Sequence, residues 1–417
     1  MTLGRLTPLL VGQCPNDWQQ VFIDEVTELL TNGYVGPSLP YQTNDPEIGV
    51  RYLQGFNVRP NKVEFANATW VTKEFHDRHQ KSCLCEGDLL VVQSGHIGTA
   101  AVVPKEAVGA NCHALIINRF HRDRVDPYFV CHYINSEIGQ ARLRGLEVGS
   151  SMLHINTSEL GRFVLPLPPL REQQRLAEIL GTWDAAIEKT ERLITAKEKR
   201  KNGLMAKLLT GKHRINGFKA SWRSVYLGEL FRKRVEVNWN DLPLLSITAE
   251  NGIVLRSGLN RKDSSNDDKS KYLRICPGDI GYNTMRMWQG VSALSSHEGI
   301  ISPAYTVCIP SPEIDGEFAS YLFKLPKVIH LFYCYSQGLT SDTWNLKFHH
   351  FAEVQVYIPE VDEQIAIASV LAALDKELAI QKKQRNALVQ QKRGLMQKLL
   401  TGQWRVTVPT SKEVPHV

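Results

Sequence analysis

No stretch of the 417 residues approaches the ~18 consecutive apolar side chains that a membrane-spanning helix requires. The N-terminal segment MTLGRLTPLLVGQC lacks a basic start followed by a long apolar core, so no secretion signal is expected. The eight cysteines are scattered and form no CxxC pair, which predicts reduced thiols and a cytoplasmic location. One cluster, His76-x2-His79-x3-Cys83-x-Cys85, has residue types that suit zinc. Its spacing matches no zinc module, and the second half of the chain has no counterpart, so no metal is expected. A loop leading into a strand, with both sulfurs on one strand face, is the plainer reading.

Catalytic signatures are also missing. There is no GxxxxGK[ST] loop for nucleotide phosphates, and Thr210-Gly211-Lys212 lacks the upstream glycine. Ser94-Gly95-His96-Ile97-Gly98 is too short for a dinucleotide-binding GxGxxG. No Asn-Pro-Pro-aromatic or Asp-Pro-Pro-aromatic motif of an amino-methylating enzyme occurs, and neither does a GxSxG elbow or an HExxH helix. The chain is expected to have no active site and to bind no cofactor.

What is abundant is repetition. Leu170–Gly211 (LREQQRLAEILGTWDAAIEKTERLITAKEKRKNGLMAKLLTG) recurs without a gap as Val361–Gly402 (VDEQIAIASVLAALDKELAIQKKQRNALVQQKRGLMQKLLTG), shifted by 191 residues. Glu172-Gln173 matches Glu363-Gln364, Asp184 matches Asp375, and Lys201 matches Lys392. Each copy carries a heptad. The first seam reads Leu176, Leu180, Trp183, Ile187, Thr190, Ile194, Lys197, Lys201, Leu204, Leu208. The second reads Ile367, Leu371, Leu374, Leu378, Gln381, Arg385, Leu388, Lys392, Leu395, Leu399. Alternating steps of four and three predict a coiled coil, with the polar seam residues fixing its register. About 40 helical residues span roughly 60 Å. Pro168-Pro169 and Pro359 precede the copies, and Gly211 and Gly402 follow them, as helix starts and stops require.

The remaining chain divides around these helices. Residues 1–164 and 217–358 form two globular heads, 165–216 and 359–404 the long helices with their attachments, and 405–417 a tail. At 43% apolar and 22% charged residues, the composition is that of an ordinary globular protein. The net charge is +6, and its excess is +5 on 165–216 and +3 on 359–417, against −3 and +1 on the heads. Lys and Arg that merely solvate long helices would give the same count. The heads share a plan. Asn16-Asp17-Trp18 answers Ala220-Ser221-Trp222, and Glu86-Gly87-Asp88-Leu89 answers Pro277-Gly278-Asp279-Ile280. LLVVQS and TAAVVP read as strands around a tight loop, and Pro127–Gln140 and Phe318–Leu331 as amphipathic helices. The tryptophan-to-Gly-Asp distance differs between heads, 69 against 56 residues, whereas the Asp-to-Gln distance is 85 in both. A constant frame with two divergent fronts suits a molecule that reads two different things. An antiparallel helix pair, with a head at each end and a pseudo-two-fold axis, is the natural closure of such a duplication.

LPLPPLREQQRLAEIL at 165–180 with its GLMAKLLTG ending, and YIPEVDEQIAIASVLAALD with GLMQKLLTG, resemble the specificity subunit of type I restriction–modification systems. The resemblance covers nearly the whole chain. It implies two α/β (α+β) target-recognition domains, internally duplicated, joined by two long helices in an antiparallel coiled coil. Each domain would read one half of an asymmetric bipartite site in double-stranded DNA, with the helices setting the spacer. Two modification subunits would bring S-adenosylmethionine and the adenine-methylating site, and restriction subunits ATP, Mg and the nuclease. Near-neutral heads fit this, because partners can share the phosphate neutralisation. A recognition subunit of a methyltransferase-only assembly, or a coiled-coil adaptor that binds proteins, would produce much the same sequence.

The family motif does not give the base-reading residues. Arg and Lys pair with guanine, Asn and Gln with adenine. Loop residues of that chemistry are Arg51, Gln54, Arg59, Asn61, Lys62, Gln93, Ser94 and His96 in the first head. In the second they are Arg256, Asn260, Arg261, Lys262, Asn283, Arg286 and Gln289. For any one of them a solvated loop or a structural hydrogen bond is the plainer reading. Trp288 and Trp344 are expected to pack rather than stack on bases.

Overall fold

In the computed structural model, residues 14–146, 154–248, 252–258, 268–340 and 343–407 are described. The chain divides into two units. The first combines residues 1–190 with 384–417, and the second is residues 191–383. Each unit therefore holds one head, the first half of one long helix and the second half of the other.

The long helices are continuous over Leu170–Leu208 and Val361–Leu399. All twenty seam positions named above are buried or half-buried. In the first unit, Leu176, Ala177 and Leu180 share one core with Leu395, Met396, Leu399 and Leu400. In the second, Leu204, Met205, Leu208 and Leu209 pack with Ile367, Ala368, Leu371 and Leu374. Ion pairs confirm an antiparallel direction within each unit. Lys392 meets Asp184 in the first, while Lys201 meets Asp375 and Lys197 meets Glu377 in the second. The three seam lysines are thus neutralised by carboxylates from the facing helix, which pins the register. Gly211 and Gly402 adopt φ of +67° and +70°, the left-handed conformation that ends a helix.

The first head is built on an antiparallel sheet in the order 27–32, 115–120, 89–92, 100–102. Leu89–Val92 is buried at every position, as an unbroken apolar run predicts for a strand covered on both faces. A second sheet, in the order 111–112, 49–53, 69–72, 42–43, adds the longer front of this head. The second head repeats the main sheet as 231–234, 305–310, 280–283, 292–294, and among the described residues its front holds two short ribbons. In each head a two-stranded ribbon, 19–22 with 164–167 or 223–226 with 355–358, leads into the long helix.

Two expectations are corrected. Pro127–Gln140 is not one amphipathic helix. Ser136 takes extended backbone angles and its hydroxyl caps a new helix, so the chain forms Pro127–Asn135 and Glu137–Arg144. The first of these is buried nearly all round because sheet and long helix cover it. In the second head the same break separates Gly316–Leu322 from Pro326–Tyr335, where Pro326 drives Leu325 into an extended conformation. Cys83 and Cys85 also do not lie on one strand face. Cys83 makes an isolated bridge to Asn111, and Cys85 lies in an exposed turn.

Candidate nucleic-acid interface

The Glu-Gln pairs prove to be anchors between head and helix. Gln173 is fully buried; its carbonyl oxygen accepts from the Asp126 N–H at 2.8 Å, and its amide donates to the carbonyls of Arg124 and Pro168. Gln364 does the same with the Asp315 N–H and the carbonyls of Glu313 and Pro359. Asp126 and Asp315 cap the helices at 127–135 and 316–322, so each glutamine sets where a head helix begins. Glu172 accepts from Trp18 Nε1 at 3.3 Å and, bidentately, from Arg405. Glu363 accepts from Trp222 Nε1 at 3.2 Å and from Arg214 in the same way. Sequence reasoning missed Arg214 and Arg405. Their signal was the 191-residue shift, which extends three residues past LLTG.

The Gly-Asp turns follow a second rule. Gly87 and Gly278 have φ of +77° and +89°, conformations that favour glycine. Buried Asp88 binds the Cys85 N–H and pairs bidentately with Arg119. Buried Asp279 binds the Cys276 N–H and pairs bidentately with Arg234. Asp88 draws its arginine from strand 115–120, whereas Asp279 draws its from 231–234, the counterpart of 27–32. Hydrogen bonding to Asp279 pushes the Arg234 pKa up, which keeps the guanidinium charged.

Past each turn a strand delivers an exposed loop. In the first head this is residues 93–99, where Ser94 and His96 are exposed. In the second it is 284–291, where Met285, Arg286 and Gln289 are exposed and the Arg286 side chain has no partner among the described residues. Trp288 and Trp344 pack edge to face at 5.1 Å, and Tyr333 packs on Trp344 at 4.9 Å, forming a buttress behind this loop. Beside it opens a cleft of about 720 Å³, lined by Lys233, Thr284, Met285, Asn345, Lys347 and His349 among others. Lys233, Lys347 and His349 are exposed. This cationic cleft was not anticipated, although the run Arg232-Lys233-Arg234 marked its edge.

Several proposed base readers hold contacts within the fold. The Arg51 guanidinium lies 4.3 Å from the Phe65 ring centre and 5.2 Å from that of Trp70, and it donates to the Glu106 carbonyl. Gln54 donates to Thr69 Oγ1, and Gln93 to Asn32 Oδ1. Asn61 bonds Asp184 and Asn135, and Lys62 pairs with Glu188, so their hairpin docks on the long helix. Arg59 pairs with Glu64 on the surface. Arg256 donates to Ser246 Oγ, and Asn283 accepts from the Met285 N–H. Asn260, Arg261 and Lys262 lie outside the described residues. In the His-Cys cluster, the His79 ring packs 4.4 Å from both Tyr34 and Phe75. Among the described residues no three His, Cys, Asp or Glu side chains are grouped to hold a metal, and no helix is long and apolar enough to cross a membrane.

Two divergent heads on a duplicated helical frame, each presenting a polar loop beyond a buried Asp–Arg pair, define a class of two-headed recognition proteins. The family model for the type I restriction modification DNA specificity domain matches residues 15–198 and again 223–391, and the chain belongs to that family. It is similar to a Methanocaldococcus jannaschii protein that carries the name of the MjaX type I restriction enzyme specificity subunit, with 24% identity over 95% of this chain and 96% of that one. It also matches the specificity subunit of Escherichia coli EcoKI, with 23% identity over 43% of this chain and 39% of that one. Among solved structures, the type I S subunit from M. genitalium superposes with a TM-score of 0.58, at 16% identity over 94% of this chain and 99% of that one. That likeness shows the fold. As a specificity subunit, the chain is a non-catalytic component of a type I restriction–modification enzyme.

Proposed function

We propose that each head reads one half of an asymmetric bipartite sequence in double-stranded DNA, and that the paired helices set the spacer and dock the partner subunits. One observation carries this reading. The two heads present loops of different chemistry, Gln93–Thr99 and Thr284–Val291, at the same place on the same sheet. A shared frame with different reading chemistry is what two unlike half-sites require. Arg286 has the donor fork for guanine, Gln289 the amide for adenine, and Lys233 and Lys347 supply phosphate contacts. Modification subunits would bring S-adenosylmethionine and restriction subunits ATP and Mg, acting on genomic DNA in the cytoplasm.

Methylome sequencing of cells with and without the gene tests this directly. The expected result is one methylated bipartite motif that disappears with the gene; no gene-dependent motif refutes the reading. Exchanging residues 1–164 for another member's head should change one half-site, and a change in both would refute modular reading. One heptad inserted into both helices should lengthen the spacer and leave the half-sites intact.

A further inference from the structure

The two candidate reading loops end in the same backbone geometry, held by different side chains. Gly98 and Gly290 both adopt left-handed angles, φ +75° and +77°. A Cβ at either would press on a side-chain methyl, Leu143 Cδ1 at 2.6 Å in the first case and Ile329 Cδ1 at 2.9 Å in the second. In the second head, Lys324 lies between the two short helices. Its ammonium donates to the Gly290 carbonyl at 2.5 Å and to the Ser292 carbonyl at 2.7 Å. In the first head two amides take the equivalent carbonyls. Gln140 donates to Gly98 at 3.0 Å, and Asn135 donates to Ala100 at 2.8 Å. Asn135 also accepts the Ala100 N–H at 3.0 Å.

The other end of each loop is pinned alike. The Ile155 N–H donates to the Gln93 carbonyl at 3.2 Å, and the Leu346 N–H to the Thr284 carbonyl at 2.8 Å. Both donors stand just before the short helices at 157–161 and 348–352. Each loop is therefore a span clamped at both ends, with exposed side chains between: Ser94 and His96 in the first, and Met285, Arg286 and Gln289 in the second, where Met287 plugs into the core. The clamps bond backbone groups of the loop and its exit strand, so they are indifferent to the side chains the loop carries.

We propose that Lys324 in the second head, and Gln140 with Asn135 in the first, are positioning residues that fix the exit of each reading loop and thereby set selectivity at that head's half-site. The inference rests on the DNA-reading assignment above. A mobile loop can still meet phosphates, but base discrimination needs donors held within a fraction of an ångström of the base edge. Losing the clamp should therefore relax selectivity more than affinity. Burial lowers the Lys324 pKa to about 8. At neutral pH it is still charged, and the two carbonyls compensate its burial.

The test uses Lys324→Met and Lys324→Arg in the full chain, co-expressed with its cognate modification subunit. Hydrogen exchange of residues 284–291 reports the loop without reference to DNA, and methylome sequencing reports each half-site. Lys324→Met is expected to speed exchange of the loop at least tenfold. It should also relax base preference about tenfold at one half-site and leave the other unchanged, while Lys324→Arg, which keeps donors at similar reach, restores most of both. Faster exchange with unaltered preference would overturn the inference, as would equal loss at both half-sites, the mark of a general folding defect. Gln140→Ala with Asn135→Ala provides an independent arm that should relax the opposite half-site; no change there also overturns it. A wild-type chain that directs methylation to no bipartite motif would instead refute the DNA-reading assignment, whatever the exchange data show.

Discussion

Gln364 offers the most direct measure of how a head is tied to its helix. Its side chain is fully buried and makes three hydrogen bonds: from the Asp315 N–H at 2.8 Å, to the Glu313 carbonyl at 3.1 Å and to the Pro359 carbonyl at 2.9 Å. Gln364→Ala leaves one donor and two acceptors facing a small void. Each lost bond costs about 1 kcal/mol net, and a group left dry and unpaired costs ~1–3 kcal/mol. Allowing for partial relaxation, the expected loss is about 3–5 kcal/mol. Gln364→Glu separates hydrogen bonding from shape. One carboxylate oxygen can still accept from Asp315, but the other confronts two carbonyl oxygens. The ionised form is disfavoured and the folded-state pKa rises above the ordinary ~4.3. A group with a raised folded pKa contributes most below its unfolded value, and its contribution fades as pH rises through the folded one. The glutamate variant should therefore be weak at pH 7 and recover towards wild type near pH 4–5. Urea unfolding followed by tryptophan fluorescence gives the magnitude, and hydrogen exchange of residues 315–322 localises it. An alanine variant within about 1 kcal/mol of wild type, or a glutamate variant that loses ground to wild type on acidification, would refute the anchor.

Further predictions follow from the buried charges. Asp279→Ala removes the bidentate partner of Arg234, leaving it Glu236 alone, and the acceptor of the Cys276 N–H; it should cost roughly 3 kcal/mol in urea unfolding, whereas Asp279→Ala with Arg234→Met should recover part of it. His132 is buried, its Nδ1 lacks a hydrogen-bond partner, and burial together with nearby Lys392 pushes its pKa down to about 3. Its contribution is complete above about pH 6.5, the unfolded value, and is lost progressively as pH falls towards 3. His132→Tyr copies Tyr321, whose hydroxyl donates to Asp375 at 2.8 Å in the other unit, and should remove that part of the pH slope. A slope unchanged by the substitution would show that His132 titrates normally.

The helices were the most legible part of the sequence. A heptad is a local signal, and burial of all twenty seam positions needs only a facing helix of matching period. The Glu-Gln pairs could be located but not explained, because their partners are remote. Arg214 lies 149 residues from Glu363, and Arg405 lies 233 from Glu172. The reading residues were the least legible. Arg51 beside two aromatic rings and Arg286 in open solvent look alike as loop arginines. Only tertiary packing distinguishes them. Short helices were over-merged for a related reason. The apolar period runs through Ser136, while one capping hydroxyl breaks the backbone there.

What the heads hold constant is backbone position, and this explains how they can differ so much elsewhere. The buried aspartate after each Gly-Asp turn finds an arginine on whichever neighbouring strand supplies one, Arg119 or Arg234. The loop exit is held through the same two carbonyls by one lysine or by two amides. At residue 132 or 321 the side chain beside the helix carboxylate is a histidine or a tyrosine. In the first two cases the acceptor is fixed and the donor is replaceable. A frame built on carbonyls and buried carboxylates places little demand on the side chains of the loop it carries. Substitutions at Ser94, His96, Arg286 or Gln289 therefore reach solvent-facing chemistry without disturbing the sheet, and a head can acquire a new preference while its helix anchor, Gln173 or Gln364, stays as it is.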